Sequence, residues 1–223
     1  MRRAPLLLAV VALLAGCVSG DATPAPKPAC PTEPPTAISA QATLADAGFA
    51  TVTVAGAVEG KFGLELYGAD APIATANFVA LARCGFYDRI KFHRVLAGFV
   101  IQAGDPNTRT QDGDFSGIGR GGAGYEFEIE PPADRLDYGQ YSVSMANDTR
   151  ANDSQFFVAL DDLNRGLPRS YTIFGQVVSG MDIVDEIAAV PVNDPRVGIP
   201  ATPVWIASIE ISDSSGIVPS PGS

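Results

Sequence analysis

The chain has 223 residues, 46% of them hydrophobic and 18% charged, with 23 Gly and 18 Pro. That is long enough to bury one sizeable core. A formal net charge of −10 argues against the basic patches that nucleic-acid or anionic-membrane binding requires, and a solvated acidic surface is the simpler reading.

The first sixteen residues read as an export signal rather than as part of the fold. Arg2-Arg3 give a short basic region, Ala4–Leu14 an apolar run too short to span a bilayer, and Leu14-Ala15-Gly16-Cys17 follows at once. Cys17 directly after Leu-Ala-Gly resembles the lipobox of bacterial lipoproteins, in which the cysteine thiol is lipidated and becomes the first mature residue. The resemblance makes Cys17 the expected lipidation site. It places the chain outside the cytoplasm, anchored to the outer face of the cell membrane or in the periplasm. Residues 17–43 are rich in Pro, Ala and Thr without an apolar period, which predicts a tether. Two cysteines remain, Cys30 and Cys84. Outside the cytoplasm a disulfide between them is permitted and would tie the tether to the domain, but the sequence does not set their separation in space.

Phe49–Ala55 alternates and is rich in β-branched residues, and Lys61–Tyr67 alternates again, so the two read as a strand pair. A helix follows. Asp70 is placed to cap it, Pro72 sits in its first turn, Ile73, Ala76, Phe78-Val79 and Ala82 form an apolar stripe, and Gly85 ends it.

The stretch Phe92–Asp105 holds the only histidine, His93, followed by Arg94, an apolar run carrying Gln102, and Gly104-Asp105. With period two, Arg94, Val100 and Gln102 share a parity, so a single strand presents all three on one surface, with Gly98 marking a bulge. A cation, an amide and apolar side chains suit a greasy, partly polar peptide. They do not suit a phosphate or a metal.

Asp105–Gly124 is a glycine-rich rim loop. Its formal G-x-G-x-x-G at Gly117, Gly119 and Gly122 lacks the following helix that dinucleotide binding needs, because Tyr125–Ile129 alternates like a strand. Asp112 and Asp114 lack the spacing of a calcium loop. Tyr141–Ala146 and Tyr171–Val178 read as strands, and Ser154–Leu160 as a continuous, buried one. Met181–Ala189 reads as a second helix, Val204–Ile211 as the last strand, and residues 213–223 as a disordered tail. Some eight short strands and two helices predict a mainly β fold, a closed antiparallel barrel capped by helices.

Most chemistry is missing its parts. Neither Ser142 nor Ser144 sits in a G-x-S-x-G elbow, and one histidine without paired cysteines makes no zinc site. The expectation is no metal and no cofactor. A reaction without proton transfer remains open.

Phe92-His93-Arg94 with Gly98-Phe99 and Gln102-Ala103-Gly104-Asp105 begins a series of short motifs. Ser144-Met145-Ala146-Asn147, Ser154-Gln155-Phe156-Phe157, Phe174-Gly175 and Gly180-Met181-Asp182 continue it in order. The series resembles the cyclophilin family of peptidyl-prolyl isomerases over residues 44–212. The resemblance implies an eight-stranded barrel closed by two helices and proline-containing polypeptides as substrates, here exported proteins during folding, with the enzyme a monomer. It implies Arg94 as the catalytic donor, Gln102 as its support, and Phe99, Val100 and Phe157 around the proline ring. Ala146 and Asn147 would contact the preceding residue, Leu167 and Tyr171 would edge the pocket, and His93 would serve packing. Val100 stands where many members have methionine, and Tyr171 where those with a pocket-edge tryptophan often have histidine. A second reading of the same residues is a non-catalytic module that holds proline segments on the cell surface.

Overall fold

The computed structural model describes residues 26–109, 117–148 and 150–213. The expected export signal, Cys17, Asp112, Asp114 and residues 214–223 lie outside them. Among the described residues no helix is long and apolar enough to cross a membrane.

The first elements are α1 (Ala37–Leu44), β1 (Phe49–Gly56), β2 (Gly60–Leu66) and α2 (Pro72–Arg83). Next come β3 (Arg94–Leu96), β4 (Val100–Ala103), β5 (Ser142–Asn147) and β6 (Asn152–Ala159). The chain closes with β7 (Ile173–Ser179), α3 (Met181–Ala188) and β8 (Val204–Ser212). The strands make one antiparallel sheet in the order β3-β4-β6-β5-β7-β2-β1-β8.

Alternation works where one face meets water. In β1 only Ala50, Val52 and Val54 are fully buried, while Thr51 and Thr53 are partly exposed. The main core gathers these with Phe62, Leu64, Phe78, Tyr87, Phe156 and Phe174. Phe78 meets Phe156 edge-on at 5.6 Å between ring centroids and Phe174 at 5.1 Å. Around β4 to β7 the sheet is apolar on both faces. Ile101, Val143, Phe156, Val158 and Phe174 enter the main core, whereas Val100, Phe157, Ala159 and Ile173 form a second cluster with Tyr138 and Leu163 on the other face. That double burial is why Ser154–Leu160 reads as an unbroken apolar run.

The closed barrel is corrected to a curled, open half-barrel. The sheet ends at β3 and β8, and only the short segment before β3 meets β8, at the isolated Lys91–Trp205 bridge and through backbone hydrogen bonds of Arg89, Ile90 and Phe92 with Ile206 and Val204. The outer edge of β3 is not free to pair with β8: the Val95 N–H donates to the Gly198 carbonyl at 2.7 Å, so a loop occupies it.

Four local expectations also change. Phe92–Asp105 is a hairpin rather than one strand, with Gly98 at φ 70° in the turn, not in a bulge. Tyr125–Ile129 forms only the Phe127–Asn152 bridge, because its side chains reach elsewhere: Tyr125 Oη donates to Asn77 Oδ1 at 2.7 Å. Asp70 does not cap α2; it pairs with Arg135. The orphan amides of Ile73 and Ala74 donate instead to the Glu130 carboxylate, at 3.0 and 2.8 Å.

The fourth change is a third helix, α1, inside the predicted tether. Thr36 and Ser39 form a reciprocal capping box at its start. Arg83 holds its far end through the Thr43 carbonyl at 3.1 Å and Asp46 at 2.6 Å. Upstream, Cys30 and Cys84 are joined by a disulfide and Lys27 pairs with Asp88. The described part of the tether is therefore docked on the domain.

Candidate active site

The β3–β4 hairpin sets Arg94 directly opposite Gln102, and β4 pairs with β6 so that Gln102 lies opposite Phe157. Directly opposed residues in antiparallel strands share a face. Arg94, Gln102 and Phe157 thus form one row across three strands, on the face of the second cluster. Gly104 makes the approach of β4 to β6 possible: at φ 104°, an added Cβ would lie 2.5 Å from the Ser154 carbonyl oxygen.

Arg94 is held by amides rather than by a counter-charge. Its Nη1 donates to Gln102 Oε1 at 3.4 Å, Gln102 Nε2 donates to Gln155 Oε1 at 3.0 Å, and Gln155 Nε2 donates to the Gly121 carbonyl at 2.8 Å. The guanidinium carbon lies 5.5 Å from the Phe99 ring centroid. Among the described residues Arg94 makes no ion pair. The cation is oriented by an amide rather than by a carboxylate.

A cavity of about 190 Å³ opens beside it. Arg94, Gln102, Phe99 and Val100 form one wall. Ala146, Asn147, Phe157, Leu167 and Tyr171 complete it, so the structure brings every expected side chain except the lipidation cysteine to one place. Val100 and Phe157 are buried at the floor, and Tyr171 meets Phe157 edge-on at 5.6 Å. Asn147 Nδ2 donates to the Ser170 carbonyl at 2.9 Å, which fixes its amide at the rim. A second cavity of about 310 Å³ shares Gln102, Ala146 and Asn147 and is lined also by Arg120, Glu126, Asp148 and Asp153. Burial raises the Asp153 carboxyl pKa there.

His93 is buried beneath this row, and among the described residues neither ring nitrogen is at hydrogen-bond geometry to a partner. Burial lowers its pKa to about 4, and the Asp105 carboxylate and the Lys91 backbone oppose this only in part. Asp105 is fully buried and accepts the Asn107 and Gly119 amides at 2.8 and 2.6 Å, tying down the base of the glycine-rich loop.

Sequence reasoning missed Gln155, Tyr138 and Glu130. Gln155 has the parity of Phe157 on β6, a signal that places both on one face. Tyr138 and Glu130 each act through two side-chain bonds to backbone distant in sequence, which leave no local pattern.

Residues 49–211 match the profile of the family described as cyclophilin type peptidyl-prolyl cis-trans isomerase/CLD. Peptidyl-prolyl cis-trans isomerase-like 1 of Homo sapiens is 42% identical over 136 residues, 58% of this chain and 75% of that protein. A peptidyl-prolyl cis-trans isomerase of Helicobacter pylori is 38% identical over 147 residues, 65% of this chain and 82% of that protein. The crystal structure of a Cryptosporidium parvum cyclophilin-type isomerase superposes with a TM-score of 0.64 at 28% identity, covering 76% of this chain and 99% of that one. A second structure of it, in the presence of the dipeptide Ala-Pro, gives the same TM-score. With the profile running from the first residue of β1 nearly to the end of β8, the chain belongs to the cyclophilin-type peptidyl-prolyl cis-trans isomerase family.

Proposed function

We propose that the cavity beside Arg94 takes the proline ring of an X–Pro segment and that Arg94 drives its isomerisation. The observation that carries this is a guanidinium held by an amide chain, with no ion-pair partner among the described residues, beside a cavity that is lined by Phe99, Val100 and Phe157 as well as by polar side chains. The X–Pro C–N bond resists rotation by roughly 18–20 kcal/mol because of its partial double-bond character. As it twists, the proline nitrogen regains a lone pair, and a fixed donor aimed there binds the twisted amide better than either planar form. Arginine suits this because its planar fork stays charged and is oriented here by one amide oxygen and one aromatic ring. Phe99, Val100 and Phe157 supply the apolar floor and wall for the ring, and Asn147 a polar rim for the backbone.

The test is isomerisation of a short X–Pro peptide by residues 17–223, with its disulfide intact, against Arg94→Ala. The variant is expected to lose about 10²–10³ in rate with binding largely retained. A wild type that binds the peptide without turnover overturns the catalytic reading and leaves a proline-holding module.

The wider role we infer is that of a lipid-anchored foldase for exported proteins. Arg2-Arg3, the apolar Ala4–Leu14 and Leu14-Ala15-Gly16-Cys17 support it, and so does a disulfide, which persists in oxidising compartments. Labelled palmitate is expected to enter the chain and its membrane fraction, and Cys17→Ser to abolish both. Unchanged fractionation of that variant would overturn the anchor.

A further inference from the structure

Tyr171 stands just outside β7, so no ladder satisfies its backbone. A single atom does so instead. Tyr138 Oη accepts the Tyr171 N–H at 3.1 Å and donates to the Tyr171 carbonyl at 2.9 Å. The two rings meet edge-on at 6.5 Å, and Tyr138 is 1% exposed. The backbone of the same residue holds the neighbouring segment. Its N–H donates to Asn164 Oδ1 at 2.9 Å, its carbonyl accepts the Leu163 N–H at 2.9 Å, and the Leu163 carbonyl accepts the Leu167 N–H at 2.9 Å. Leu167 and Tyr171, the two wall residues opposite the β3–β4 hairpin in sequence, therefore both hang on Tyr138. Among the described residues none of this set is hydrogen-bonded to Arg94, whose own position rests on Gln102 and Gln155.

We propose that Tyr138 is a positioning residue that fixes the width of the ring-binding cavity, and thereby the ring size the enzyme accepts. This rests on the cavity being the proline site. The chemistry is that of an over-determined wall. Two backbone groups of Tyr171, partly buried, have one shared partner, and removing the hydroxyl leaves both unpaired. The segment then relieves itself by moving toward water, which draws the Tyr171 ring off Phe157 and opens a cavity of only about 190 Å³. An apolar pocket tells a ring from its next homologue by one methylene, and only a rigid wall makes that methylene count.

The experiment compares an alanyl-prolyl peptide with the same peptide carrying pipecolic acid, the six-membered-ring homologue, on oxidised residues 17–223. The wild type is expected to favour proline by about tenfold or more in kcat/KM. Tyr138→Phe keeps the ring and loses the hydroxyl. It is expected to raise KM for the proline peptide about fivefold, to leave kcat within about twofold, and to cut the ring preference to about threefold or less. Asn164→Ala, at an exposed position, removes the acceptor for the Tyr138 N–H and is expected to move the preference the same way, more weakly. It decides the matter should Tyr138→Phe fail to fold. A merely structural role lowers the melting temperature and leaves the ring preference in place at temperatures where the variant is folded. Unchanged preference in the variants, or none in an active wild type, overturns the role of Tyr138. A wild type inactive on both peptides overturns the underlying reading of the cavity.

Discussion

The buried imidazole of His93 makes stability depend on pH in a window that the structure specifies. The residue is 5% exposed, and among the described residues neither ring nitrogen is at hydrogen-bond geometry to a partner. Burial is the largest cause of its lowered pKa, from 6.5 to about 4. The charge of Arg94 adds to the effect, while the Asp105 carboxylate opposes it. Below pH 6.5 the unfolded chain takes up a proton that the folded chain refuses, so the stability present above pH 6.5 is lost as the pH falls toward 4. At about 1.4 kcal/mol per pH unit, that gap amounts to about 3 kcal/mol. This is a large share of the roughly 5–15 kcal/mol that holds a domain together. Other groups titrate too: burial raises Glu130 and Asp153, and those act in the opposite sense. The measurement is therefore a difference. Urea unfolding of the wild type and of His93→Gln, which is similar in size but does not titrate, is followed from pH 7.5 to pH 4. The stability advantage of the wild type over the variant is expected to shrink by about 3 kcal/mol across that range, with the change confined below pH 6.5. An advantage that stays constant would show the imidazole to be solvated in the fold, and one that grows as the pH falls would show it to be charged there; either way the reasoning would fail.

Two further outcomes follow from how α2 is held. Glu130→Gln keeps the shape of the cap but removes the charge at the helix N-terminus, and is expected to cost about 1 kcal/mol in urea unfolding at pH 7; no loss would mean that the amides find equal partners. Reducing the Cys30–Cys84 disulfide, which closes a sequence separation of 54, is expected to lower stability by up to about 4 kcal/mol. Proteolysis should then begin upstream of α1, with isomerase activity retained, since neither cysteine lines the cavity. Lost activity at a temperature where the reduced chain stays folded would overturn that separation of anchor and site.

What was legible in the sequence follows from what each segment faces. β1 and β8 show their period because one side meets water, and β6 shows an unbroken run because neither side does. α1 has no apolar stripe. Only Ala40 is buried in it, and it is fixed by a capping box and by bonds from Arg83, none of which periodicity reports. The Phe92–Asp105 stretch shows how a right face can come from a wrong element. Arg94 and Gln102 are separated by an even number of residues, so a single strand and a symmetric hairpin both set them on one side. Only the hairpin also makes them direct neighbours and puts Phe99 in the turn, against the guanidinium. Ala146, Leu167 and Tyr171 were reachable through family resemblance alone, because small, apolar and aromatic residues in loops or at strand ends carry no period of their own. The closed barrel failed for a reason no strand pattern contains, a loop at Gly198 taking the edge that closure needs.

An amide at position 102 fits the charge that the role proposed for Arg94 needs. Arg94 sits on a three-residue strand at the edge of the sheet, where the ladder gives little rigidity. A carboxylate opposite would orient the guanidinium strongly, but would also neutralise the field that a recovering lone pair is to feel. An amide orients through its dipole and leaves the charge in place. An amide alone is ambiguous, because either end can turn toward a neighbour. The ambiguity is removed from the far end of the chain. The Gly121 carbonyl can only accept, so Gln155 must offer Nε2 to it and Oε1 to Gln102. Gln102 must then offer Nε2 to Gln155 and Oε1 to Arg94. The base of the glycine-rich loop thus sets the direction of the Arg94 guanidinium across two strands, which gives that loop a part in the candidate site.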